Sequence, residues 1–122
     1  MKDILDIHSH TIASGHAYNT LYEMARAAAD NGMELFGSSD HGHEMYFCNF
    51  KSIPKELFGM RLIMGCELNI LDYKGTLDLK EWLLKRIDYG IASIHDLCYK
   101  TGSREENTAA AVNAMKSPYV QV

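Results

Sequence analysis

The chain has 122 residues, 47% hydrophobic and 23% charged, with two prolines and a formal net charge of −4. A single domain of that size can bury roughly two-thirds of the surface its unfolded form exposes, and that composition excludes extended disorder. With the mild charge and without a Lys/Arg cluster able to follow a phosphate backbone, nucleic acid is not expected as a partner. No run nears the apolar length of a membrane span, and the start Met1-Lys2-Asp3-Ile4 has no apolar stretch behind it, so secretion and membrane insertion are not expected.

Asp3 to Ile7 is a short apolar run that gives way to polar residues near His8, which predicts a buried strand entering a functional loop. TLYEMARAAADNG follows, with Thr20 as N-cap, Glu23 three residues later and Gly32 as terminator: a capping box and C-cap around an alanine-rich helix. Met33 to Ser38 predicts a second strand stopping at Asp40-His41-Gly42, and residues 42 to 52 are assigned to a loop. RLIMGCELNIL, from Arg61, is rich in branched and apolar residues and predicts a third strand with Glu67 inside it. Asp78 is expected to cap the helix LKEWLLKRI, with Leu79, Trp82, Leu83 and Ile87 facing the core. YGIASIH is the fourth strand, Ser103 and Glu106 form a second capping box ahead of EENTAAAVNAMK, and Pro118 starts a last extended piece, YVQV. The alternation of strand and helix predicts an α/β architecture with a parallel sheet or barrel.

In such folds the carboxyl ends of the strands carry the chemistry, and the candidate ligands fall there. His8 and His10 end strand one, His41 ends strand two, Glu67 lies late in strand three and His95 ends strand four. Two residues apart in extended chain, His8 and His10 leave the same side about 7 Å apart and can close on one metal ion. His16, in the loop SGH, can turn back over the same face; His43 lies farther into its loop and is set aside. Asp40 either orients the neighbouring imidazole or is an ordinary strand-end residue. Glu67 interrupts an apolar run, where a carboxylate needs a cation or a salt bridge to Arg61 or Arg86. Lys100 and Arg104, after strand four, are left out of the site, and Met45, Tyr46, Phe47 and Tyr99 are given no role. The three cysteines, Cys48, Cys66 and Cys98, are far apart and form no CxxC, so buried thiols in a reducing cytoplasm are expected.

The ordered motifs DIHSHTIASGHAY, SSDHG, GCELNI and ASIHD resemble the PHP superfamily, named for polymerase and histidinol phosphatase domains, over the whole chain. SGHAY and LDYKGTLDL resemble most the small bacterial YcdX-type phosphatases. The resemblance implies a distorted seven-stranded (β/α) barrel holding three divalent metal ions, zinc foremost, with manganese or iron as alternatives. It implies that His8 and His10 bind one ion, that Glu67 bridges it to a second held by His95, and that His16 and His41 serve the third. The family also uses a histidine after the fifth strand and a later Asp-x-His pair, neither of which occurs before Val122. Residues 1–122 are therefore expected to be an incomplete PHP domain, the N-terminal part of the barrel, whether as a fragment of a longer protein or as a truncated gene product. Unpaired strand edges make self-association an expectation.

The activity implied is phosphomonoester hydrolysis through metal-activated water, on a small phosphorylated substrate. Two other readings stay open: a metal-dependent amidohydrolase, since that class also places H-x-H after the first barrel strand, and a catalytically inactive metal-binding module.

Overall fold

The computed structural model describes residues 4–42 and 44–122, so His43 and the start of strand one at Asp3 lie outside the described residues. Four parallel strands stand side by side: β1 (Leu5–Ser9), β2 (Leu35–Ser38), β4 (Met60–Asn69) and β5 (Tyr89–Ser93). The intervening β3 (Glu56–Leu57) turns antiparallel onto the start of β4. The sheet curls into half of a barrel with helices between its strands, α1 (Leu21–Asp30), α2 (Glu44–Cys48), α3 (Glu81–Leu84) and α4 (Arg104–Ala114). YVQV extends the sheet past β5: Gly90 O accepts from Gln121 N at 2.9 Å, and Ala92 N donates to Val122 O at 2.9 Å.

The two long helices form as their caps dictate. Thr20 and Ser103 each accept from the backbone N–H three residues on, while Glu23 and Glu106 reach back to the cap N–H. Phe36, Leu62, Met64, Cys66, Leu68 and Leu83 fill the core with Ala25 and Ala28 of α1. Ala110 and Ala114 of α4 pack with Ile70 and Tyr99 in a smaller cluster. The Tyr89 ring lies across β2 and β4, where Gly37 and Gly65 leave room that a Cβ would take away. Its hydroxyl donates to Ile7 O at 2.7 Å and so ties β5 to β1 immediately before His8.

Several local expectations change. The stretch 42–52 is not a plain loop: α2 and a 3₁₀ turn at Phe50–Ser52 sink Phe47 and Phe50 into the core. Helix α3 is a single turn whose N-cap is Lys80, not Asp78. Leu79 and Leu83 are buried, but Trp82 is 47% exposed, with the Arg86 guanidinium 5.7 Å from its ring centroid. Asp78 instead accepts from Asn69 N at 3.0 Å, which a residue at the end of β4 can offer and a helix start two residues later cannot. Of the cysteines only Cys66 is buried; Cys48 is half-buried and Cys98 exposed, all three as free thiols. Among the described residues no helix is long and apolar enough to cross a membrane.

Candidate metal centre

All six residues singled out in the sequence meet at one end of the sheet. Glu67, 5% exposed on β4, is the hub. Its Oε2 lies 3.1 Å from His8 Nε2, 3.0 Å from His10 Nε2 and 3.3 Å from His41 Nε2, and its Oε1 lies 3.3 Å from His95 Nε2. The salt-bridge alternative for Glu67 is thereby replaced: Arg86 donates to Cys48 O. His16 joins through its ring, 4.8 Å from that of His10 and 5.3 Å from that of His41. Three overlapping groups result, His8–His10–Glu67, His41–Glu67–His95 and His10–His16–His41, each with ligand atoms within 4.8 Å of one another. All of them but His8 line a cleft of about 420 Å³, together with Asn69, Leu97 and Cys98.

Local backbone features aim these side chains. Between the pairs Asp6↔Phe36 and Ser9↔Ser38, β1 advances three residues while β2 advances two, so β1 carries a bulge at Ile7-His8. The Asp6 carboxylate accepts from His8 N at 3.0 Å inside it. Bulges of this kind re-aim side chains beside sites, and this one accompanies the convergence of His8 and His10 on a single carboxylate oxygen. His95 stands two residues past the end of β5.

The ring protons decide what the cluster can hold. His41 Nδ1 lies 3.2 Å from the backbone carbonyl of Glu67, which can only accept, so Nδ1 carries the proton. His95 Nδ1 lies 2.7 Å from Asn69 Oδ1, and Asn69 is oriented because its Nδ2 donates to Asp78 Oδ2. In the neutral rings both Nε2 atoms therefore turn lone pairs toward the Glu67 carboxylate. Burial pushes the Glu67 carboxyl up, but hydrogen bonds from His8 and Ser93 and the nearby histidines outweigh it, leaving it below its ordinary value and ionised at neutral pH. Burial, then the neighbouring His41, lowers the His10 pKa, so a proton is disfavoured there as well. Lone pairs facing a carboxylate 3.3 Å away repel unless a cation lies between them. Two ligands about 2.1 Å from a common ion stand roughly 3.0 Å apart in octahedral and 3.4 Å apart in tetrahedral geometry, the range of the Glu67–histidine distances. The donor set fits a divalent ion.

Sequence reasoning missed the partners that fix the ring nitrogens. Asn69 and Asp78 act on His95. Ser14 lies 3.0 Å from His10 Nδ1. Of the two readings open for Asp40, orienting the His41 ring is not what the structure has: its partners are Thr11, Ser14, Ser38 and Tyr46. The hydroxyl-rich stretches SHTIAS and SSD were the available signal. Tyr46 is held by Asp40, Phe47 is core, and Tyr99 is buried with its hydroxyl on Asn107.

Comparison with known proteins agrees with this geometry. The PHP domain family model matches residues 6–118. A probable phosphatase of Clostridium novyi is 46% identical over 129 residues, covering all of this chain and 53% of that protein. A probable phosphatase of Acetivibrio thermocellus is 47% identical over 127 residues, covering 98% of this chain and 53% of that protein. One from Clostridium acetobutylicum is 40% identical over 129 residues, with the same 53% share of its length. The chain spans about half the length of the curated relatives it matches. With the family model covering most of its residues, the chain belongs to the PHP domain family.

Proposed function

We propose that this chain supplies the amino-terminal metal-binding face of a phosphoesterase that hydrolyses small phosphomonoesters. The observation that carries the reading is the crowding of four histidine Nε2 atoms within 3.3 Å of the Glu67 carboxylate, with the opposite ring nitrogens of His41 and His95 already committed. The ligands are His8, His10, His16, His41, Glu67 and His95, and zinc is the favoured ion, with manganese or iron as alternatives for an N/O donor set. When bound, such ions supply positive charge for phosphoryl oxygens and lower the pKa of water.

The residues of the chain do the rest. Glu67 offers both carboxylate oxygens and links the His8–His10 pair, at Oε2, to His95, at Oε1. The Glu67 carbonyl and Asn69 hold two imidazoles in the tautomer that can donate a lone pair. The cleft, about 420 Å³, suits a small substrate, and Leu97 at its rim is fully exposed. The names of the relatives support a phosphoester rather than an amide as the bond cleaved. Free thiols at Cys48, Cys66 and Cys98 support a cytoplasmic setting.

The test is metal content and turnover together. The chain, and a version extended to the length of its relatives, are loaded with Zn²⁺ or Mn²⁺, freed of loose metal and analysed by mass spectrometry, then assayed on p-nitrophenyl phosphate. Bound metal in both and turnover by the extended protein are expected. No bound metal in either would overturn the reading, and metal without turnover in the extended protein would leave an inactive binding module.

A further inference from the structure

Beneath the histidines lies a buried polar network that ligand chemistry alone does not require. Asp40, at the end of β2, is fully buried. Its Oδ1 accepts from Thr11 N and Ser14 Oγ, each at 2.6 Å, and its Oδ2 accepts from Thr11 Oγ1 at 2.8 Å, Ser38 Oγ at 2.9 Å and Tyr46 OH at 3.0 Å. Five donors on two oxygens leave no place for a proton on the carboxylate, so Asp40 is an acceptor only. Among the described residues no Lys, Arg or His lies within ion-pair distance of it.

The consequence passes through Ser14. A hydroxyl has one proton, and at 2.6 Å from an acceptor-only oxygen the Ser14 proton is committed to Asp40. The two lone pairs of Ser14 Oγ remain. One accepts from His41 N at 3.0 Å, and the other faces His10 Nδ1 at 3.0 Å. His10 Nδ1 must then be the donor, which in the neutral ring leaves Nε2 unprotonated and turned to Glu67 Oε2 at 3.0 Å.

We propose that Ser14, anchored on Asp40, is a positioning residue: it fixes the Nδ1–H tautomer of His10 and holds the backbone of His41, so that one hydroxyl pre-sets two histidines of the cluster before any ion arrives. The functional part of this inference rests on the metal reading above; the tautomer does not. Neither Ser14 nor Asp40 lines the cleft. Their place in the fold explains why two strand ends share one hydroxyl: Ser14 closes the 3₁₀ turn at Ile12–Ser14, capped by Thr11 through its hydroxyl to Ala13 N at 3.2 Å, and Thr11 is itself held by Asp40.

The test uses uniformly ¹⁵N-labelled chain without metal, with long-range ¹H–¹⁵N correlation of the imidazoles. Wild type is expected to show His10 as the Nδ1–H tautomer. In Ser14→Ala the His10 proton is expected to shift toward Nε2, where Glu67 can accept it, and in Ser14→Thr, which restores a hydroxyl, to return to Nδ1. Zinc affinity, measured against a chelator, should fall about 10- to 100-fold in Ser14→Ala, the usual loss when the partner of a ligating histidine is removed, and recover in Ser14→Thr. An unchanged His10 tautomer in a folded Ser14→Ala overturns the proposal, as does unchanged zinc affinity in that variant when wild type binds zinc. Absence of zinc binding by wild type overturns the metal reading alone, because the tautomer comparison still decides whether Ser14 sets His10.

Discussion

Glu67→Gln should separate the proposed metal site from the fold in an unusual way. The substitution keeps the side chain's size and replaces one acceptor oxygen by an amide with two donors. At the Oε2 position that amide meets His10 Nε2 at 3.0 Å and His41 Nε2 at 3.3 Å, both of which now find protons where they had faced a carboxylate. Each hydrogen bond gained is worth about 0.5–1.5 kcal/mol net, against the weakened interaction with His8. The metal-free chain should therefore be as stable as wild type or about 1 kcal/mol more so, a rise of roughly 3–6 °C in Tm for a domain of this length. Zinc affinity should fall by more than about 100-fold, because the ligand itself is changed and loss of a mere supporting partner already costs about 10–100-fold. Thermal melts in EDTA and in excess Zn²⁺ read both effects. At a zinc concentration about 100 times the wild-type Kd, wild type gains about 2.7 kcal/mol, and the variant should lose most of that gain. A metal-free variant melting several degrees below wild type would refute the reasoning, since it would mean that imidazolium protons already satisfy the carboxylate. A zinc-induced rise equal to wild type would refute it too.

Two further outcomes follow from the packing and the charges. Gly37→Ala and Gly65→Ala should each destabilise by about 1–3 kcal/mol in denaturant titrations, because a Cβ at either meets the Tyr89 ring or hydroxyl. Tyr89→Phe should recover part of the loss at Gly37, where the hydroxyl is the nearest atom, and little at Gly65, where ring carbons are. Stability of the metal-free chain should fall in two stages as pH drops. His10 has a folded-state pKa below its ordinary value of about 6.5, so the unfolded chain takes up the proton first and stability declines from there downward. Burial raises the Asp40 carboxyl but its hydrogen bonds from Ser14 and Thr11 hold it below the ordinary value of about 3.9. Its contribution, like that of Glu67, whose carboxyl is also held below its ordinary value, is therefore fully present above the ordinary carboxylate range and lost as pH falls through the folded values. His10→Asn should remove the upper stage in a urea titration series, and a single transition unchanged by that variant would contradict the assignment.

The fold was legible where local chemistry and period agreed. Thr20 with Glu23 and Ser103 with Glu106 announced their helices, and both capping boxes are present. The four parallel strands follow apolar runs, displaced by a residue or two. Legibility failed where tertiary contacts outweigh short-range pattern. Trp82 sits at helical spacing with Leu79 and Leu83, yet α3 lasts one turn and leaves that side to solvent. Phe47 and Phe50, three apart, are buried by the sheet beside them, so a segment without caps or a long period still becomes helical.

For the candidate site, residue type and strand-end position picked out six side chains that the fold brings together, because imidazoles and a buried carboxylate are chemically conspicuous. The atoms that hold the Nδ1 side of those imidazoles are ordinary: a serine hydroxyl on His10, an asparagine carbonyl on His95 and a backbone carbonyl on His41. They lie 4, 26 and 26 residues away from the rings they hold, and the farther two meet them only through the pairing of β4 with its neighbours. Asp78 shows the difficulty best. As the residue before LKEWLLKRI it satisfies every rule for an N-cap, but the end of β4 claims it first: Asn69 offers a backbone N–H and an amide to the two oxygens of one carboxylate. That pairing leaves Asn69 Oδ1 facing His95. A cap signal in the sequence is thus spent on aiming a histidine, and only the sheet register, which brings Asn69 opposite Ser93, reveals the exchange.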